Sequence, residues 1–239
     1  MIVVRSSKPE TNYRSKFKHL DHPSLKVQTA IPEVSKNDQK TLVFGALFLL
    51  TYIAVRFGFS KQLDSAGFYA GYLFEIVMVG LAGIIYHDRI RMKLENPVSE
   101  LAKAFIPSMV LGAAAFLATK PLGLVVPFDL GSMEAILFLI LIGPVLEEFI
   151  FRMALWQPLK DLMGPRTALI GTTLIFAYAH FHAYWFVPAE YKTFVIYQTI
   201  YVLGLGFYCG WRLSRTSALT APLLVHLAFN LGFYLSTKL

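Results

Sequence analysis

Glu147, Glu148 and Arg152 stand within six residues of one another in Gly143–Trp156, GPVLEEFIFRMALW, a stretch otherwise almost wholly apolar. An ionisable side chain at the centre of a bilayer costs about 2.5–3.5 kcal/mol on insertion scales, so three together imply use. On a helix Glu148 and Arg152 share a face and can pair. Glu147 points about 100° away and has no partner within its own helix. One acid is neutralised locally and the other is available for chemistry. Two later apolar runs also carry polar side chains at helical spacing. One holds Phe176 and His180, with His182 just beyond; the other holds His226 and Asn230, four apart and facing the same way.

These residue types make a water-activating site. A carboxylate shielded from bulk water is suited to take a proton, and Glu147 beside His180 would hold and deprotonate one water for attack on a carbonyl carbon. His226 and the Asn230 amide would donate hydrogen bonds to the oxygen that becomes negative, a contribution of several kcal/mol in well-built sites. Arg152 would hold Glu148 and keep the helix in register. Phe176 would wall the cavity, with a lesser expectation of substrate contact. Such a group hydrolyses a peptide without a nucleophilic Ser or Cys. Two other readings use the same residues. In a transporter, Glu75, Glu147 and the histidines would relay ions; the lack of an internal repeat argues against it. In a silent membrane scaffold, the buried ions would only fix helix packing.

The rest of the chain must carry these groups into a membrane. Its 239 residues are 56% hydrophobic and 15% charged, too apolar for a soluble domain of this size. Mean hydropathy is +0.54. The net charge of +7 is the kind that basic cytoplasmic loops give a membrane protein, so nucleic acid is not expected as a partner. A single cysteine, Cys209, rules out an intrachain disulfide and a cysteine-based zinc cluster.

Residues 1–40 read as a basic cytoplasmic arm, with eight Lys and Arg against four acids and three prolines. No early apolar core suggests a signal peptide, so the first span would direct insertion. Seven apolar runs follow: Thr41–Phe57, Ala66–Tyr86 with Glu75 at its middle, Ala104–Thr119, Met133–Trp156, Thr167–Val187, Phe194–Trp211 and Leu219–Leu235. Pro121–Leu130, apolar but broken by two prolines, could add a re-entrant piece and make eight. The expected fold is therefore an all-α polytopic bundle of seven, possibly eight, transmembrane helices. N-terminal spans would occupy 41–132 and a catalytic core 133–239.

Basic residues collect in alternate loops. Arg89, Arg91, Lys93 and Lys103 form one set, Arg152, Lys160 and Arg166 a second, and Arg212 and Arg215 a third. This alternation places the N-terminus in the cytoplasm. Trp156, Trp185 and Trp211 fall near helix ends, where interfacial aromatics belong. A rise of about 1.5 Å per residue sets Glu147 and His226 roughly 10–15 Å from the cytoplasmic side and His180 nearer 20 Å. The helices must tilt for one cavity to hold all three.

The motifs Glu147-Glu148-Phe-Ile-Phe-Arg152, Phe176-Ala-Tyr-Ala-His180 and His226-Leu-Ala-Phe-Asn230, in that order on successive membrane helices, resemble the CAAX prenyl endopeptidase and bacteriocin-processing (CPBP) family of intramembrane proteases. The resemblance covers about Met133–Leu235. It implies a cytoplasm-facing glutamate protease in which Glu147 and His180 activate water, His226 and Asn230 form the oxyanion hole, and Glu148 and Arg152 support them. It also implies a membrane-associated peptide or protein substrate, lipidated or not, and a multi-pass location in a bacterial or archaeal plasma membrane rather than the endoplasmic reticulum. No cofactor is expected. The alternative is zinc held by Glu147, His180 and His226, a two-His, one-carboxylate set, although the pattern His-Glu-x-x-His is absent.

Overall fold

A computed structural model describes residues 36–67, 70–89, 91–128 and 130–239. Most of the basic arm therefore lies outside the described residues. Those described form one unit of helices without a strand. In chain order the helices are α1 (Lys36–Ile53), α2 (Ser60–Ser65), α3 (Ala70–Tyr86), α4 (Pro97–Glu100), α5 (Ile106–Leu117), α6 (Met133–Leu137), α7 (Gly143–Glu148), α8 (Trp156–Met163), α9 (Pro165–Phe181), α10 (Ala189–Thr216) and α11 (Thr220–Leu235). Four wide π-helical turns join or extend them: Ala54–Gly58, Leu101–Phe105, Phe138–Ile142 and Phe149–Ala154.

Helical stretches fall on all seven apolar runs. Four of them, Gln39–Gly58, Ala70–Arg89, Pro97–Leu117 and Ala189–Thr216, are long and apolar enough to cross a membrane. Their outer faces expose large apolar side chains, among them Val43 and Leu50 on α1, Leu73 and Ile84 on α3, and Ile200 on α10. A water-soluble surface rarely carries patches of that kind, and lipid would cover them at no cost. Pro121–Leu130 forms no helix among its described residues, so the possible eighth span finds no element there.

The wide turns have a local cause. Proline lacks the N–H that closes a helical turn and clashes with the carbonyl four residues back. Pro107, Pro144 and Pro158 each lie just beyond a π segment, and the carbonyls of Lys103, Ile140 and Ala154, four residues earlier, lie within those segments. An extra residue in the turn relieves the clash, and a side chain from elsewhere can fill the freed acceptor. The Tyr208 hydroxyl on α10 donates to the Lys103 carbonyl at 2.8 Å.

Small residues let the backbones close up. A Cβ on Gly112 of α5 would run into the Phe229 carbonyl of α11, and one on Gly232 would run into the Met109 carbonyl. Two glycines facing each other's helix thus set the closest crossing in the bundle. Other breaks are marked by conventional stops. Gly164, at φ 85°, ends α8, and Pro165 opens α9. Ser217 ends α10 in the left-handed region at φ 53°.

Several expected placements change. Arg152 and Arg212 are not loop charges. Both are buried, and Arg212 pairs with Glu100 at the start of the third stretch. Nor is Trp156 interfacial: it is 4% exposed and packs with Leu159, Ala168 and Leu213. Arg56 in the π turn after α1 donates to Glu75 at 3.1 Å. The Tyr197 hydroxyl donates to the Ala115 carbonyl at 2.7 Å.

Candidate active site

The fourth apolar run is the most irregular and carries the acids. Helix α7 contributes Glu147 and Glu148, with a π segment on either side. Single π turns inside α-helices recur at functional sites because they re-aim side chains. Arg152 lies within the second π segment, yet its Nε still reaches Glu148 Oε2 at 3.4 Å, both side chains being fully buried. That separation is an ion pair without hydrogen-bond geometry. The guanidinium is held further by α10, where NH2 donates to the Gly206 carbonyl at 2.8 Å.

Gly206 cannot carry a side chain there, because a Cβ would lie 2.8 Å from the Phe176 ring. The Phe176 ring in turn lies 5.4 Å from the Arg152 guanidinium carbon and edge-on to Phe151, His180 and His226. Phe176 was expected to wall the cavity and touch substrate. Its ring is instead fully buried behind the two histidines and is absent from the cavity lining, because the close approach of α10 at Gly206 leaves it enclosed.

His226 on α11 lies between the two acids. Its Nδ1 is 2.9 Å from Glu148 Oε1, and its Nε2 is 3.6 Å from Glu147 Oε2. A carboxylate only accepts, so Nδ1 carries the proton shared with Glu148 and Nε2 is the nitrogen turned toward Glu147. His180, in the last turn of α9, has Nδ1 3.0 Å from the Phe176 carbonyl. A carbonyl also only accepts, so Nδ1 donates there and the neutral ring keeps a lone pair on Nε2.

Asn230, one turn beyond His226, donates from Nδ2 to the Leu139 carbonyl at 2.8 Å. In the π segment Phe138–Ile142 each carbonyl would pair with an N–H five residues on. Gly143 does so with Phe138, but the group facing Leu139 is Pro144, which has no N–H. Asn230 therefore supplies the hydrogen bond that Pro144 cannot make, and its second N–H remains for another acceptor.

Glu147, His180, His226 and Asn230 all line one cavity of about 920 Å³. The volume matches a site for a small molecule or a peptide segment. Glu147 is 30% exposed there, whereas Glu148 is wholly buried. Tyr72 and Ile76 of α3 form part of the opposite wall, and Pro127, Phe128 and Leu130 bring the turn-rich segment to the cavity as well. The depth mismatch expected for His180 does not keep it from this cavity. Among the described residues no group of three or more His, Cys, Asp and Glu side chains is arranged to hold a metal ion.

Sequence reasoning missed Gly206, the Leu139 carbonyl and Cys209, whose buried thiol donates to the Pro222 carbonyl at 3.7 Å. Only Leu139 left a signal, the proline five residues on. His182 and Tyr178 lie away from the cavity in an aromatic group with Phe57.

Residues 129–232 match the family described as type II CAAX prenyl endopeptidase Rce1-like. Every residue of the three motifs falls within that segment. No curated protein and no solved structure matches the chain.

Proposed function

From a segment, 129–232, that carries the pattern of a CAAX prenyl endopeptidase family, we propose that this membrane protein is an intramembrane endopeptidase acting on a membrane-associated protein or peptide. The family supports peptidase activity in general terms; the roles that follow are our reading of the geometry. The observation that carries it is the convergence of Glu147, His180, His226 and Asn230 from three helices on one cavity.

Water held between the Glu147 carboxylate and the His180 Nε2 lone pair attacks the peptide carbonyl carbon. Its proton passes to Glu147 as the new C–O bond forms. The carbonyl oxygen, now negative, takes hydrogen bonds from the free N–H of Asn230 and from His226 Nε2. Nε2 donates only while the ring carries both protons, a charge set against Glu148 on one side and the oxyanion on the other. On collapse the C–N bond breaks, and Glu147 returns its proton to the leaving nitrogen. Glu148 and Arg152 stay out of the chemistry and hold the His226 ring in place. No step in this reading passes through a metal.

In this reading all seven helical stretches cross the membrane, residues 133–239 form the catalytic core, residues 41–132 supply the remaining wall, and the N-terminal arm lies in the cytoplasm. Protease digestion of right-side-out and inverted vesicles tests the orientation. The activity is tested in liposomes by comparing wild type with Glu147→Ala and His180→Ala. Loss of cleavage in both supports the site, and retention in both removes it. Wild-type cleavage that survives exhaustive chelation rejects zinc; cleavage that stops and returns with zinc overturns the metal-free mechanism.

A further inference from the structure

Apart from the catalytic cavity, the bundle has a smaller, strongly cationic pocket of about 170 Å³. Arg89, Arg91, Lys160 and Arg152 line it, together with Gln157 and Ser217. Arg89 and Arg91 come from the end of α3 and the chain just after it, Arg152 from the π segment before α8, Gln157 and Lys160 from α8, and Ser217 from the α10–α11 turn. Backbone and side-chain bonds tie these regions together. Arg89 pairs with Asp161, the Leu219 N–H donates to the Arg91 carbonyl at 2.8 Å, and the Thr220 hydroxyl donates to the Met92 carbonyl. The pocket is thus a built part of the fold and not a chance meeting of surface lysines.

Its charge is unbalanced. Arg89 is met by Asp161 and Arg152 by Glu148, but Arg91 and Lys160 have no ion pair among the described residues. Two side chains at its floor are buried and incompletely bonded. Arg152 is 1% exposed, and its NH1 has no hydrogen-bond partner. Gln157 is 8% exposed, and its amide oxygen has none either; turned over, that amide presents two donors instead. A buried guanidinium N–H without an acceptor is costly, and an anion in the pocket it lines would remove that cost. The volume exceeds the roughly 150 Å³ that encloses a six-carbon ring, enough for one phosphate group and too small for an acyl chain.

We infer that this pocket binds a phosphate group, supplied by the headgroup of an anionic membrane lipid. Its position favours that source over free phosphate. Arg89 closes the apolar stretch Ala70–Arg89, and Ser214 and Ser217 lie at the end of Ala189–Thr216. The pocket therefore opens where two apolar stretches leave the hydrocarbon, at headgroup depth. An occupied pocket would also clamp Arg152, and through it Glu148 and His226, from the side opposite the cavity. The inference does not depend on peptide cleavage, and binding is its readout.

The test uses the full chain and the double variant Arg91→Gln/Lys160→Gln, neither residue belonging to the catalytic group. In neutral detergent at constant ionic strength, inorganic phosphate is titrated and the thermal unfolding midpoint is followed. In parallel, nanodiscs of phosphatidylcholine alone are compared with nanodiscs containing phosphatidic acid. Wild type should unfold at a higher temperature with phosphatidic acid, and the double variant should lose that shift. In the phosphate arm the variant should need roughly tenfold more ligand for the same shift, about one charge-assisted hydrogen bond. A shift with lipid but not with phosphate supports the headgroup source. A shift with phosphate alone keeps the site and overturns that source. No shift in either arm, or equal shifts in wild type and variant, overturns the inference.

Discussion

On one side of α7, Glu148 meets Arg152 and His226 and has no exposed surface. On the other, Glu147 is 30% exposed in a cavity, and its Oε2 is 3.6 Å from His226 Nε2. Adjacent residues of the same type have become a buried ion and an accessible one. The difference lies in what α9, α10 and α11 bring to each face. A dry, multiply bonded carboxylate is fixed in geometry and charge. One facing a wet cavity can move and exchange a proton.

The comparison breaks most sharply at Glu147 itself. Glu147→Gln should leave expression and thermal unfolding unchanged while cleavage in liposomes falls by about 10²–10⁴-fold, the range of a lost general acid–base. A variant that also unfolds early would place Glu147 with its neighbour. On the dry side, Arg152→Ala should lose about 3–5 kcal/mol of stability, because Glu148 is left charged and unpaired in low dielectric. It should be seen first as lost membrane yield. Glu148→Leu combined with Arg152→Met should recover yield but not activity, since His226 then has no acceptor for Nδ1. Normal yield for Arg152→Ala would mean the pair is not buried together.

Asn230 sharpens the contrast, because it serves both sides. Asn230→Ala should slow cleavage by roughly 100-fold if its free N–H meets the oxyanion. It should also cost about 1 kcal/mol of stability, because the Leu139 carbonyl is orphaned. An unchanged rate with a lower unfolding temperature would make it a tie alone. The smallest effect is expected at Arg56→Gln. Its pairing with Glu75 is partly exposed, and about 0–1 kcal/mol should be lost with cleavage retained.

The three polar motifs were legible because polar groups inside apolar runs are rare and their spacing puts each pair on one face. The Glu148–Arg152 pairing followed from the same four-residue spacing. What could not be read were contacts between helices. Nothing local says that Arg212 turns inward to Glu100 or that Trp156 is core, since a basic or aromatic residue near a helix end looks the same whether it faces lipid or protein. Phe176 failed for the same reason: an aromatic beside a catalytic pattern can lie before or behind it, and only the approach of Gly206 decides. The fold class and helix positions were legible from hydropathy. The π turns were not, although three prolines marked where three of the four fall.

Those turns change how the fourth stretch counts. A regular helix advances about 100° per residue, and each widened turn absorbs a residue that a regular one would not. Removing one amino acid from Phe138–Ile142 would let the regular repeat resume with α7 keeping its direction, whereas removing one from the regular turn 143–146 would swing everything after it by about that angle relative to α6. In the second case the acid at 147 would rotate off the cavity while composition and hydropathy stayed almost the same. Orientation of the chemistry in this chain is thus stored in a residue number, with a loss tolerated in the widened turn and damaging one turn later.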